Sequence, residues 1–291
     1  MQQISLRSMA KINLGLDVVR RRPDGYHDLR MIMQTVQLSD VITLERRSEP
    51  GIALTCSERS LPADKHNLAW RAAALLQEEF GLSEGVRIHL EKHIPAAAGL
   101  AGGSGNAAAV LEGMNTLFDL GLTPEELRVR GLSLGADVPY CLMRGTALAE
   151  GVGEILTPLP ALPDCSVLLV KPDVSVSTKE VFTRLRLDES TTHPDIDGMR
   201  AAVEAGDLPG VLSRLGNVLE SVTIPLCPVI ADIKQALTQL GAEAALMSGS
   251  GPTVFGIFTD PTSAKAAADE MRKHFPDAFV QSAGLFPGAD R

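Results

Sequence analysis

Cysteine is scarce and scattered in this chain: Cys56, Cys141, Cys165 and Cys227 form no CxxC pair. That spacing gives no support to a zinc ribbon or a disulfide framework and fits small buried hydrophobes in a reducing compartment. Long apolar runs are also missing. No stretch reaches the roughly 18 residues that a membrane helix needs, and the opening MQQISLRSMAKINL has no continuous apolar segment followed by a small-residue cleavage site. Neither a membrane span nor a secretory leader is expected, and the expected location is the cytoplasm. Basic residues are the minority charge, 27 Lys and Arg against 36 Asp and Glu, for a formal net charge of −9. A surface of that sign repels nucleic acid and anionic membranes, so neither is expected as a partner. A small phosphorylated ligand stays open, because backbone N–H groups and one or two lysines act at short range while other charges are screened over roughly 8 Å. Two familiar nucleotide loops are absent: no GxxxxGK[ST] occurs, and no Gly-rich segment has GxGxxG spacing.

What is present is enough apolar material for a full core. Hydrophobic residues make up 45% of 291, which suits one large domain or two of ordinary size. The first 60 residues read as strands, with Ile12, Leu14, Leu16 and Val18 alternating with Asn13, Gly15 and Asp17, and with shorter runs in VITLER and GIALTC. The PDGY segment marks a turn, Pro23 presetting φ and Gly25 permitting positive φ. A helix follows that Asn67 caps and Gly81 stops, with Leu68, Ala72, Leu75 and Leu76 on one face. Val86, Ile88 and Leu90 then mark a strand that runs into Pro95. Thr123, Pro124 and Glu126 form a capping box for a further helix. Past Gly153 the texture changes to a proline-rich connector, TPLPALPD, a buried strand at 166–170 and several amphipathic helices. The last 50 residues alternate strand, strand, helix, strand, as in an α+β sandwich. A boundary near 155 divides the chain into 1–155 and 156–291.

Between the strand ending near Glu91 and the Ala-rich helix around Ala107 to Leu120 lies a run of small residues: Pro95, Ala96, Ala97, Ala98, Gly99, Leu100, Ala101, Gly102, Gly103, Ser104 and Gly105. A backbone without bulky side chains can approach phosphate oxygens, and the helix that follows supplies unpaired N–H groups and a positive dipole end. The same run also suits a turn that only packs a helix tightly on a sheet. His89 and His93 are four apart, but in a strand that spacing does not align them as metal ligands.

Four blocks taken together decide between these readings. AKINLGL at 10–16, GLAGGSGNAA at 99–108, GADVPY at 135–140 and MSGSGPTVF at 247–255 resemble the motifs of the galactokinase, homoserine kinase, mevalonate kinase and phosphomevalonate kinase superfamily, over essentially the whole chain. PDGYH at 23–27, with the AKINL and GADVP pairing, is most similar to its diphosphocytidyl-methylerythritol kinase branch. The resemblance implies an α+β fold of two domains with the active site in the cleft between them, 1–155 binding ATP and 156–291 forming a C-terminal α+β domain. It implies ATP and Mg²⁺ as cofactors and a small-molecule acceptor, 4-diphosphocytidyl-2-C-methyl-D-erythritol, phosphorylated on its 2-hydroxyl. Oligomeric state is not fixed by the sequence.

By the same resemblance Asp137 is the base or hydroxyl-orienting carboxylate, and Lys11 is the cation beside it. Pro95 to Gly105 hold the phosphates, and Asn67 and Lys92 serve the adenosine side. Asn13, Tyr26, His27, Thr178 and Phe182 bind the acceptor, Tyr26 and Phe182 stacking on its base. Ser104 is a candidate for the metal, and Ser248 to Gly251 approach the phosphates. Each has a plainer reading: Asp137 as a turn or cap residue, Lys11 as a surface lysine, Phe182 as core, MSGSG as a hairpin turn. One position departs from the family, which has two adjacent serines where this chain has Ser104 and Gly105, so one hydroxyl expected near phosphate or metal is missing. A kinase of another acceptor, such as homoserine or a mevalonate derivative, and a non-catalytic nucleotide-binding relative are the alternatives.

Overall fold

The computed structural model describes residues 2–288, which fall into two compact units that interleave along the chain. Unit 1 comprises the chain up to Ala10, Leu38–Ala96 and Ala101–Met143; unit 2 comprises Lys11–Gln37, Ala97–Leu100 and the chain from Arg144 onward. The chain passes from one to the other inside two long strands, β1 (Gln3–Arg21) and β2 (His27–Arg47). Sequence patterning anticipated several shorter strands here. A continuous run is possible because no proline interrupts either segment and the apolar alternation continues through each. The division expected at 155/156 falls inside unit 2, at the start of β6 (Ile155–Leu159).

In unit 1, the C-terminal half of β2 pairs antiparallel with β4 (Gly85–Glu91), and β4 pairs in parallel with β3 (Ile52–Cys56). The sheet is covered by α1 (Leu68–Phe80) and α2 (Gly102–Phe118), with α3 (Pro124–Leu132) and α4 (Val138–Met143) beside α2. α1 begins and ends where its sequence says. Asn67 Oδ1 accepts from Ala69 N, and Gly81 closes the helix in the left-handed region at φ 59°. The capping box of α3 is formed in both directions between Thr123 and Glu126. α2 lies close to the sheet because Gly113 has no side chain: a Cβ there would stand 2.5 Å from Leu44 Cδ1. Burial of Ile42, Leu44, Leu76, Ile88, Leu90, Leu111 and Met114 makes this unit's core.

In unit 2, the N-terminal half of β2 pairs antiparallel with β5 (Thr146–Gly151), and β5 with β6. The remainder of β1 pairs with the two-residue β8 (Gly216–Asn217). A second sheet has the order β11–β7–β10–β9, from Phe279–Gly284, Ser166–Lys171, Val254–Phe258 and Ala244–Met247. Its inner strands β7 and β10 are apolar and buried along almost their whole length, the expectation for the middle of a covered sheet, and α9 (Val229–Gln239) and α10 (Pro261–His274) pack on it.

Candidate functional site

The small-residue loop ends earlier than its composition suggests. Ala101 stands in the left-handed region, φ 56°, and α2 starts at Gly102, so Gly102, Gly103, Ser104 and Gly105 form the first turn of the helix rather than a loop before it. Glycine and serine are poor helix formers, which hides this start from a propensity reading. Ala101 at the N-cap contributes no side-chain hydrogen bond, so the opening N–H groups are presented without a capping oxygen, as an anion site requires. Gly103 is exposed and Ser104 half-buried, whereas Gly105 is buried.

Position 105 has a specific geometry. Gly105 N donates to Ala101 O, and a Cβ on it would lie 2.6 Å from Ser8 Oγ and 3.2 Å from Met9 O. A side chain here points into β1, away from the exposed side of the turn where Gly103 lies. Ser104 does face a motif named above: a Cβ on Gly135 would lie 3.9 Å from Ser104 Oγ, which places the hydroxyl alongside the Gly135–Ala136–Asp137 turn. Asp137 is half-buried immediately before α4, and its carbonyl accepts from Cys141 N. It therefore does occupy a helix-start position, the plainer reading given to it.

Asn67 and Lys92, also in unit 1, are engaged by the protein itself. Asn67 spends Oδ1 on the α1 cap and donates from Nδ2 to Pro62 O at 2.8 Å. Lys92 Nζ pairs with Asp40 and donates to Asn106 Oδ1 at 3.0 Å.

In unit 2 the middle of the loop meets the other small-residue motif. Lys11 N donates to Leu100 O, and Ser248 Oγ donates to Gly99 O at 3.0 Å. A Cβ on Gly99 would lie 2.3 Å from Ser248 O, so Gly99 is required both for its φ of 73° and for this close approach. MSGSG is a hairpin connection, Ser248 N donating to Thr253 O between β9 and β10, and it also packs on Gly99. Asn217, which the sequence did not single out, fixes that connection by donating from Nδ2 to Met247 O and Gly249 O, both at 2.8 Å.

Lys11 is only 4% exposed, which removes the surface-lysine reading, and its Nζ donates to Asn13 Oδ1 at 2.7 Å. Asn13 donates onward to Met31 Sδ. A Cβ on Gly249 would lie 3.6 Å from Asn13 Oδ1. The structure thus gathers Lys11, Asn13, Gly99 and Gly249 into one group.

The base-stacking candidates form a separate group in the same unit. Tyr26 is 65% exposed, in a turn where its N donates to Asp24 Oδ1 and its O accepts from Arg22 N. Phe182, in α5 (Thr178–Arg184), is half-buried and tilts at 36° against the His27 ring with centroids 5.2 Å apart, so it is not a core residue. Burial first, then the positive charge of Arg21, holds the His27 imidazole below its usual pKa of 6.5. Thr178 Oγ1 hydrogen-bonds Ser250 Oγ at 2.8 Å, linking α5 to the hairpin connection.

Family models match two stretches of the chain. The GHMP kinases N terminal domain matches residues 67–145 and the GHMP kinases C terminal domain matches 199–277. A protein of Lachnoclostridium phytofermentans named 4-diphosphocytidyl-2-C-methyl-D-erythritol kinase is 53% identical over 94% of this chain and 94% of its own length. A protein of the same name from Geobacillus kaustophilus is 50% identical over 96% of each chain. The crystal structure of a 4-(cytidine 5'-diphospho)-2C-methyl-D-erythritol kinase superimposes with a TM-score of 0.83 at 34% identity, over 99% of this chain and 100% of that one. A homoserine kinase from Cytophaga hutchinsonii, at 20% identity and TM-score 0.81 over 99% and 96% of the two chains, shares the fold.

Proposed function

The chain belongs to the GHMP kinase family, in its 4-diphosphocytidyl-2-C-methyl-D-erythritol kinase branch, and from that premise we propose how its residues divide the work. It is a small-molecule kinase that transfers a phosphoryl group from ATP to an alcohol, the 2-hydroxyl of 4-diphosphocytidyl-2-C-methyl-D-erythritol, in isoprenoid precursor synthesis. The observation that carries the catalytic reading is the opening of α2: an uncapped helix start built from small residues, with Ser104 alongside the turn that ends in Asp137.

In phosphoryl transfer the protein places the acceptor oxygen in line with the γ-phosphorus and neutralises charge on the transferring oxygens. Asp137 orients the acceptor hydroxyl and takes its proton. Lys11 stabilises the charge that develops on the phosphoryl oxygens. The segment Pro95–Gly105 cradles the phosphates through its backbone, with Asn67 and Lys92 on the adenosine side, and Ser248–Gly251 approaches them. Tyr26, His27 and Phe182 take the cytosine ring, and Asn13 and Thr178 bind the rest of the acceptor. We keep the division into 1–155, the ATP-binding part that also carries Asn13, Tyr26 and His27, and 156–291, the C-terminal α+β domain.

Mg²⁺ is assigned as cofactor. Among the described residues no group of three or more His, Cys, Asp or Glu could hold a metal. Mg²⁺ fits that donor set, because it usually takes its ligands from substrate phosphates and water with one or two protein oxygens. The Ser104 hydroxyl is the protein oxygen we assign to the ion, which would supply charge neutralisation. No helix of the described residues is long and apolar enough to cross a membrane; we assign the protein to the cytoplasm and no nucleic acid to its partners.

ADP release from MgATP tests the reading, with the cytidylated acceptor, homoserine and mevalonate compared. Turnover with the cytidylated acceptor alone is expected. Turnover with another acceptor refutes the branch, and nucleotide binding without turnover on any acceptor refutes catalysis.

A further inference from the structure

In unit 1 a closed buried network joins Lys92, given above to the adenosine side, to three side chains with no role so far: Asp40, Asn106 and Ser8. Asp40 is 0% exposed. Its Oδ1 accepts from His93 N at 2.7 Å and Ile94 N at 2.8 Å; its Oδ2 accepts from Asn106 Nδ2 at 2.7 Å and pairs with Lys92 Nζ. Asn106 returns a bond by accepting from Lys92 Nζ, and it also donates to Ser8 Oγ at 3.1 Å. Ser8 is itself 2% exposed.

The partners of this one carboxylate have a telling order in the chain. Residues 92–94 immediately precede the small-residue segment, and Asn106 immediately follows it. Both ends of an eleven-residue segment, Pro95 to Gly105, are therefore tied to a single group on β2. Such a segment makes few side-chain contacts, and its glycines bring backbone freedom that partners at its ends limit. Lys92 Nζ also sits under the start of α2, 3.5 Å from where a Cβ on Gly102 would be. An unpaired ammonium there would oppose the positive end of the helix dipole. Pairing with Asp40 neutralises it, so the network supplies position rather than net charge.

We propose that Asp40 is a positioning residue for the phosphate-binding segment, acting through Lys92, His93, Ile94 and Asn106 to fix both its ends. This rests on the reading of Pro95–Gly105 as the ATP phosphate site. Loosening the tether weakens nucleotide binding more than it changes acceptor binding or the amount of folded protein.

The test uses the full chain with Asp40→Asn and, separately, Asn106→Ala. The second leaves the carboxylate, its Lys92 partner and the bonds to His93 and Ile94 in place and releases only the α2 end. MgADP affinity is measured by calorimetry, both KM values and kcat by ADP release, and folding by thermal melting. A misplaced binding segment is expected to raise KM for ATP and Kd for MgADP by about tenfold or more in Asp40→Asn and about threefold or more in Asn106→Ala, with KM for the acceptor within about twofold of wild type. If Asp40→Asn does not fold, the same split in Asn106→Ala decides the matter. A folded variant whose ATP and acceptor KM values both stay at wild type, with only kcat per total protein reduced, overturns the proposal, because that is the signature of lost folded material. Absence of MgADP binding by the wild-type protein overturns the kinase reading itself, and the positioning role with it.

Discussion

Placing serine at position 105 makes this chain look more like its family, yet the structure predicts that it harms the protein. A Cβ at 105 would stand 2.6 Å from Ser8 Oγ and 3.2 Å from Met9 O, inside the contact distance of roughly 3.5 Å for non-bonded heavy atoms. Gly105 is buried, so the new side chain cannot swing into solvent. Overpacking of this kind costs about 1–3 kcal/mol. At roughly 2–4 °C of Tm per kcal/mol for a chain of this size, Gly105→Ser should melt about 2–12 °C below wild type. Ser8→Ala removes the clashing oxygen and leaves the Ser8 Cβ 3.9 Å away. Alone it should cost about 0.5–1.5 kcal/mol, since Asn106 Nδ2 loses one of its two acceptors. In Gly105→Ser/Ser8→Ala the two losses should not add: we expect a favourable coupling of about 1–2 kcal/mol. Thermal melting of the four proteins, with MgADP affinity measured beside it, completes the cycle. The reasoning fails if Gly105→Ser melts at the wild-type temperature and binds MgADP more tightly, for then the hydroxyl reaches the phosphate side after all.

Three further predictions concern the assigned site. Asp137→Asn keeps the shape of the side chain and removes the proton acceptor, so kcat should fall by roughly 10²–10⁴ while MgADP binding persists; near-normal turnover would sink the role. For His27, burial and then Arg21 lower the pKa below 6.5, so affinity for a cytidine nucleotide should be flat from about pH 8 to 6.5 and decline only below that. The sign for stability is the same: the unfolded imidazole takes up its proton first, so the contribution is whole above 6.5 and lost as pH falls through the depressed folded value. A binding midpoint above 6.5, followed by titration, contradicts this environment. Asn67→Asp separates cap from ligand contact, because the carboxylate still accepts from Ala69 N while the donor to Pro62 O is gone. Stability within about 1 kcal/mol of wild type together with a raised KM for ATP supports an adenosine role, and an unchanged KM reduces Asn67 to a cap.

How legible the molecule was in its sequence depends on how local each determinant is. The start and stop of α1 were readable because Asn67 and Gly81 act on backbone groups within four residues of themselves. The capping box of α3 is local in the same way, and the buried strand at 166–170 announces itself by an unbroken apolar run. The first turn of α2 was not readable, since Gly102 to Gly105 lack helix propensity and it is the packing of Gly105 against β1 that allows the turn. Long-range pairing hid the rest. Lys11 carries no local mark of burial beyond its alternating neighbours, and Gly105 looks like a missing hydroxyl until Ser8, 97 positions earlier in the chain, is found in its space. Asp40 is the limiting case. In SDVITLER it reads as the polar residue that opens a strand, but all four of its acceptor directions go to residues 52 to 66 positions away. No short window contains those partners. What the sequence does offer is a physical question: side chains this small make few contacts of their own, so the partners that position the segment have to be sought at its two flanks, where Lys92 and Asn106 stand.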